Sequence, residues 1–146
     1  MTSERRLAEV LLVEDDPAHA LIIRRHFERI GAQAHLTHVE DGAAALDHLY
    51  GRTLEGAQAP RADLVLLDLR LPKVDGLEVL RQVKSDPSLR RTPVIALTTS
   101  AAERDVSRAY DLSVNSYLVK PVDFDQFSQV LDTVAAYWLA TNLYPP

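Results

Sequence analysis

Apolar residues follow two repeating patterns along the chain. Near-continuous runs of strand length occur at Glu9–Val13 (EVLLV), Asp63–Leu67 (DLVLL), Pro93–Leu97 (PVIAL) and Ser116–Val119 (SYLV), and a weaker, alternating run spans Ala32–Val39 (AQAHLTHV). Between them, apolar positions recur three and four residues apart, the spacing of one helix face. Leu21, Ile22, Phe27 and Ile30 do so within Pro17–Ile30, and Leu77, Val79, Leu80 and Val83 within Gly76–Val83. Gly42–Tyr50, Asp105–Leu112 and Asp123–Leu139 obey the same rule. Strand and helix thus alternate five times.

Strands that are apolar on both faces have to be covered on both faces. The alternation therefore predicts an α/β fold: a five-stranded parallel sheet with right-handed crossovers and helices on each side. A common order in such open sheets is 2-1-3-4-5, which would place the alternating second run at an edge. Gly51–Ala62 is the one long connection and reads as a surface loop. With 146 residues, the chain has the size of one domain spanning 1–146, and residues from about 137 to 146 read as a C-terminal extension.

A composition of 47% hydrophobic and 25% charged residues is that of a globular protein. Net charge is -5 and the basic residues are scattered, which argues against nucleic-acid binding. The absence of cysteine excludes disulfides, thiolate metal sites and Cys nucleophiles. The apolar run near the N-terminus is too short for a signal peptide or a membrane span, so a cytoplasmic location with no membrane partner is expected.

Sites in this architecture collect at the carboxyl ends of the strands. Glu14, Asp15 and Asp16 follow the first strand, Asp68 the third, Thr98, Thr99 and Ser100 end the fourth, and Lys120 and Pro121 follow the fifth. Carboxylates gathered this closely repel one another, and a divalent cation removes the conflict. Glu14, Asp15 and Asp68 offer the hard oxygen donors that Mg²⁺ prefers, with Mn²⁺ as a substitute. An aspartate beside Mg²⁺ and a lysine ammonium can attack phosphorus, with Lys120 and the Thr98 hydroxyl neutralising the transferring oxygens.

LLVEDDP, LVLLDLRLP, KVDG, PVIALTTS and SYLVKP occur in this order. In these motifs the chain resembles the response-regulator receiver domains of two-component signalling, the CheY-like fold. The resemblance runs from about Glu9 to the last helix. It implies that Asp68 is the phosphoacceptor, that Glu14 and Asp15 form the acidic pair, and that the Arg70 backbone carbonyl joins them on the metal. It further implies a switch hydroxyl at Thr98, a switch aromatic at Tyr117, a phosphoryl-contacting Lys120 and a cis Lys120–Pro121 peptide. SDPSLRRTPVIALTTS, YDLSVNSYLVKPV and YWLATNLYPP are similar to the single-domain regulators that serve phytochrome kinases. That implies a sensor histidine kinase, a bacteriophytochrome, as partner. Glu14 stands where many receivers carry Asp, and Thr99 where a smaller residue is frequent.

Other assignments are structural. Asp16 before Pro17 reads as a helix N-cap, and Asp75-Gly76 as turn and helix entry. The five histidines, His19, His26, His35, His38 and His48, show no ligand spacing tied to the acids and read as solvated or partly packed. The apolar stripe through Phe124, Phe127, Val130, Leu131, Val134, Tyr137 and Trp138 continues into Leu139, Leu143 and Tyr144, more than one sheet face needs, and predicts a homodimer through the last helix and tail. The rival readings are a phosphorylation-independent interaction module and an aspartyl-nucleophile phosphohydrolase. The latter wants a second acid two residues after its nucleophile, where this chain has Arg70. A self-catalysed phosphoacceptor that is not an enzyme in the usual sense is the expectation.

Overall fold

The computed structural model describes residues 7–51 and 61–146, so most of the Gly51–Ala62 connection lies outside the described residues. The elements are β1 (Ala8–Val13), α1 (Pro17–Arg29), β2 (Ala34–Val39), α2 (Gly42–Leu49), β3 (Leu64–Leu67), α3 (Gly76–Ser85), β4 (Val94–Thr98), α4 (Glu103–Asp111), β5 (Ser116–Val119) and α5 (Phe124–Val134). A π-helical segment, Ala135–Thr141, continues α5. The strands form one parallel sheet in the order β2-β1-β3-β4-β5, as the pattern predicts.

The continuous apolar runs have a direct cause. Successive residues of a strand face opposite sides of the sheet, and both sides are buried. Leu11, Val13, Val65, Leu67 and Ala96 pack into one core with Leu46 of α2, Val79, Leu80 and Val83 of α3 and Ala109 of α4. Val10, Leu12, Leu64, Leu66, Ile95 and Leu97 pack into the other with Ile23 and Phe27 of α1 and Phe127 and Leu131 of α5. The edge strand β2 is covered less completely, which is why its sequence alternates.

The starts of α1, α2, α3 and α5 are set by aspartates whose carboxylates accept backbone N–H groups that lack a partner in the first turn. Asp16 accepts from Ala18 and His19, Asp41 from Ala44, Asp75 from Leu77 and Asp123 from Gln126. At Gly76, a Cβ would lie 2.3 Å from the Asp68 carbonyl oxygen and 2.5 Å from Leu69 Cα, so only glycine lets α3 begin this close to the end of β3.

Two local expectations are corrected. No cis peptide bond occurs among the described residues, so Lys120–Pro121 is trans, the isomer an X–Pro bond favours by about 0.5–1 kcal/mol. The last helix is not α-helical to Leu139. Beyond Val134 it widens into the π-segment, whose Asn142 N–H donates to the Tyr137 carbonyl five residues back. Apolar residues at 134, 135, 138 and 139 suit either turn width, so the spacing does not distinguish them.

Candidate functional site

Parallel register brings the strand ends to one rim. Val13 pairs with Leu67, and Leu67 with Ala96, while the Asp68 N–H donates to the Val13 carbonyl (3.0 Å) and the Lys120 N–H to the Thr98 carbonyl (2.7 Å). The residues one step past β1, β3 and β5 are therefore neighbours: Glu14, Asp68 and Lys120. Glu14 is 1% exposed, Asp68 7% and Lys120 5%, so all three charges are withdrawn from water, whereas Asp15 is exposed. Burying ionised groups is tolerated only with partners.

The partners are specific. Lys120 Nζ donates to Glu14 Oε1 and, at 2.9 Å, to Asp68 Oδ2. Asp68 Oδ1 accepts from the Thr98 hydroxyl at 3.1 Å and from the Arg70 N–H at 3.0 Å. The Glu14 turn is fixed from two sides, by its N–H on the Val39 carbonyl (3.0 Å) and by His38 Nε2 donating to its carbonyl (2.7 Å). Burial pushes the Glu14 carboxyl up to about 7, the Asp68 charge adds to the rise, and the Lys120 ammonium opposes it.

One carboxylate oxygen each from Glu14, Asp15 and Asp68 lies within 4.8 Å of the others. Three carboxylates against one ammonium leave negative charge uncompensated, and an all-oxygen donor set of this span fits a hard divalent cation. The structure thus brings together the acidic trio, Thr98 and Lys120 as expected.

A second group of contacts surrounds the first. The Arg70 guanidinium is bound to Asp105 of α4 (2.6 Å). Asp105 also accepts from the Ser100 hydroxyl (2.5 Å), and hydrogen bonding from Ser100 together with the charge of Arg70 holds its carboxyl below the usual carboxylate range. The Tyr117 hydroxyl, whose ionisation burial disfavours, donates to the Ser100 carbonyl at 2.8 Å. Thr98 and Tyr117 are therefore tied to the same short segment leading into α4.

The histidines are solvated or partly packed as read, except His26, which is buried, but two of them also reach the rim. His19 Nδ1 lies 3.1 Å from Lys120 Nζ and 4.0 Å from Glu14 Oε1, and His38 supports the Glu14 turn. Both belong to the rim, and neither is among the carboxylates that converge there. Their positions, in the first turn after the acidic run and one residue before the end of β2, were the available signal. Ser100 and Asp105 were likewise not singled out as a pair. The other three do not touch the acidic trio: His26 is buried against Asp132 (2.7 Å), His35 pairs with Glu9 (2.9 Å), and burial lowers the His48 pKa.

The sheet order and this rim are those of a receiver domain, and the family comparison agrees: the chain belongs to the response-regulator receiver domain family, matched over residues 10–132. Among individual proteins it is 38% identical to response regulator Rcp1 of Synechocystis over 93% of this chain and 92% of that protein. The Mn²⁺-bound structure of Rcp1 superposes with a TM-score of 0.89 over 95% of this chain and 99% of that one. The phosphorylated cyanobacterial phytochrome response regulator RcpA gives 0.90 at 39% identity, covering 96% of this chain and 99% of that one. A probable methanogenesis regulatory protein, FilR2 of Methanothrix harundinacea, is 48% identical over 93% of this chain and 86% of that protein. No helix among the described residues is long and apolar enough to cross a membrane.

Replacing Asp15, the exposed member of the trio, tests the charge argument. Asp15→Asn is expected to raise the thermal midpoint in EDTA by a few degrees, the scale of about 1 kcal/mol, and to lose the further rise expected of the wild type in Mg²⁺. Differential scanning calorimetry with and without Mg²⁺ reads both; an undiminished Mg²⁺ shift in Asp15→Asn contradicts the metal assignment.

Proposed function

We propose that this receiver takes a phosphoryl group from the phosphohistidine of a sensor histidine kinase onto Asp68, with Mg²⁺ as its cofactor and Mn²⁺ as a substitute. The observation that carries the reading is the acidic trio closed by one buried lysine and one buried hydroxyl. Glu14, Asp15, Asp68 and the Arg70 carbonyl would hold the metal, which supplies charge neutralisation at the phosphoryl oxygens.

The chain's own groups do the rest. An Asp68 carboxylate oxygen forms the bond to phosphorus as the phosphorus–nitrogen bond to the kinase histidine breaks, and the departing imidazole keeps the electron pair. Arg70 N–H and Thr98 orient that carboxylate, and Lys120 offers its ammonium to a phosphoryl oxygen as positive charge already in place. The acyl phosphate adds about 1.5 to 2 negative charges to the rim. Thr98 is then drawn from Asp68 to the phosphoryl group and Tyr117 turns inward from the Ser100 carbonyl, which changes the surface around α4. Hydrolysis of the acyl phosphate at the same site resets the protein.

The likeness to Rcp1 and RcpA supports a phytochrome kinase, a bacteriophytochrome, as the donor; the greater identity to FilR2 supports as second reading a kinase with a different sensory input. Faster transfer from an autophosphorylated phytochrome kinase than from a kinase without a photosensor decides for the first. A cytoplasmic protein acting as one domain fits either donor.

We further infer a homodimer built by α5, the π-segment and the tail. Trp138 and Tyr144 pack onto the core and anchor this region, while Tyr137, at 51% exposure, and Leu143, at 85%, face outward. These apolar surfaces lie beyond the matched family segment, which ends at residue 132.

Incubation with Mg²⁺ and acetyl phosphate is expected to add one phosphoryl group by intact mass, and Asp68→Asn to take none. Modification of Asp68→Asn at the wild-type rate contradicts the assignment, and a wild type that stays unmodified favours a phosphorylation-independent interaction module. In sedimentation the wild type is expected to be dimeric and Tyr137→Glu/Leu143→Glu monomeric; a dimer that survives both substitutions places the interface elsewhere.

A further inference from the structure

We propose that His19 is a positioning residue for phosphotransfer: its Nδ1 holds the Lys120 ammonium on the site while the reaction occupies both carboxylates that otherwise hold it. The inference rests on Asp68 being the phosphoacceptor and concerns how its lysine stays aimed.

Lys120 has three N–H donors and no acceptor, and three acceptors surround it: Glu14 Oε1, Asp68 Oδ2 at 2.9 Å and His19 Nδ1 at 3.1 Å. An ammonium only donates, so in this contact Nδ1 is the acceptor, the role it has in the tautomer that carries the ring proton on Nε2. The ammonium is fully satisfied only with the imidazole included.

The three partners differ in what the reaction does to them. Glu14 is one of the three carboxylates that converge for a cation, and Asp68 gives an oxygen to phosphorus. Both are charged, so each cancels part of the positive charge that Lys120 must present to the phosphoryl group. His19 gives nothing to metal or phosphorus, and a ring nitrogen that accepts, unlike a carboxylate, fixes the ammonium without cancelling its charge. Lysine has a long, rotamer-rich side chain, so a partner that persists through the reaction keeps the charge organised where it is needed.

His19 is itself held. It lies in the first turn of α1, where the Asp16 carboxylate that caps the helix accepts its backbone N–H at 3.2 Å. Its ring leans on Phe127 of α5, with centroids 6.1 Å apart and planes inclined by 58°. The cap sets the backbone and the neighbouring helix sets the ring, which leaves Nδ1 on the lysine. At 30% side-chain exposure the imidazole borders solvent, so truncation exchanges this acceptor for mobile water.

The test compares wild type, His19→Ala and His19→Asn, the amide oxygen of Asn being able to stand near the place of Nδ1. Mg²⁺ affinity, affinity for the phosphoryl mimic beryllofluoride in saturating Mg²⁺, and the phosphorylation rate with acetyl phosphate are measured on each. His19→Ala is expected to bind Mg²⁺ within about twofold of wild type while beryllofluoride affinity and rate fall about tenfold, the scale of a hydrogen bond from a charged group. His19→Asn is expected to recover most of that loss. Unchanged beryllofluoride affinity and rate in His19→Ala, no recovery in His19→Asn, or a Mg²⁺ affinity that falls in step with beryllofluoride each overturn the proposal. If the wild type itself takes neither beryllofluoride nor phosphate, the Asp68 reading has failed and this inference with it; a reactive wild type with indifferent His19 variants sinks the inference alone.

Discussion

Three carboxylates share one ammonium at the carboxyl ends of β1, β3 and β5, and the rest of the molecule is arranged around that imbalance. Glu14 and Asp68 are buried, so water does not relieve their mutual repulsion, and Lys120 neutralises one charge. Such a site is costly to fold and therefore selective in what it accepts. On the proposed function a cation relieves it, and a phosphoryl group changes which acceptors Lys120 and Thr98 face. The rigid part of the structure bears that cost: two apolar cores clamp the sheet from both faces, and the strand register leaves the acids no freedom to separate.

From that centre, hydrogen bonds lead outward along a short closed route. Asp68 is joined to Thr98 and to the Arg70 backbone, the Arg70 side chain to Asp105, Asp105 to Ser100, and the Ser100 carbonyl to Tyr117. Every connection is polar and directional, whereas the apolar cores beneath hold by packing alone. On the proposed function the response is an exchange of these polar partners over a fixed sheet, in the segment from Thr98 to Asp105. Position 99, exposed in the middle of that segment, is occupied by Thr.

Most of this arrangement is legible in the sequence because it is imposed by burial. Leu64–Leu67 reads as a strand since both its faces are covered, and Asp68 stands out because a carboxylate after such a run needs a reason. Asp16 and Asp75 are legible as caps because capping is local. What escapes is set by tertiary neighbours or by local backbone choices that composition does not fix. His19 and His38 touch the rim only because α1 and β2 fold against it, and nothing in their spacing announces a lysine 101 residues away from His19 or a carbonyl across the sheet edge. The trans Lys120–Pro121 bond and the π-segment escape for the second reason: proline permits both isomers, and the apolar stripe suits both turn widths.

A crystal structure with Mg²⁺ and beryllofluoride tests the central claim, that uncompensated carboxylate charge exists to receive a cation and a phosphoryl group, most directly. The account predicts the metal on Glu14, Asp15, Asp68 and the Arg70 carbonyl, beryllium on Asp68, and Lys120 Nζ and Thr98 Oγ1 both on fluorine. Lys120 and Thr98 still bonded as they are without ligand, or a metal bound away from the trio, would contradict it.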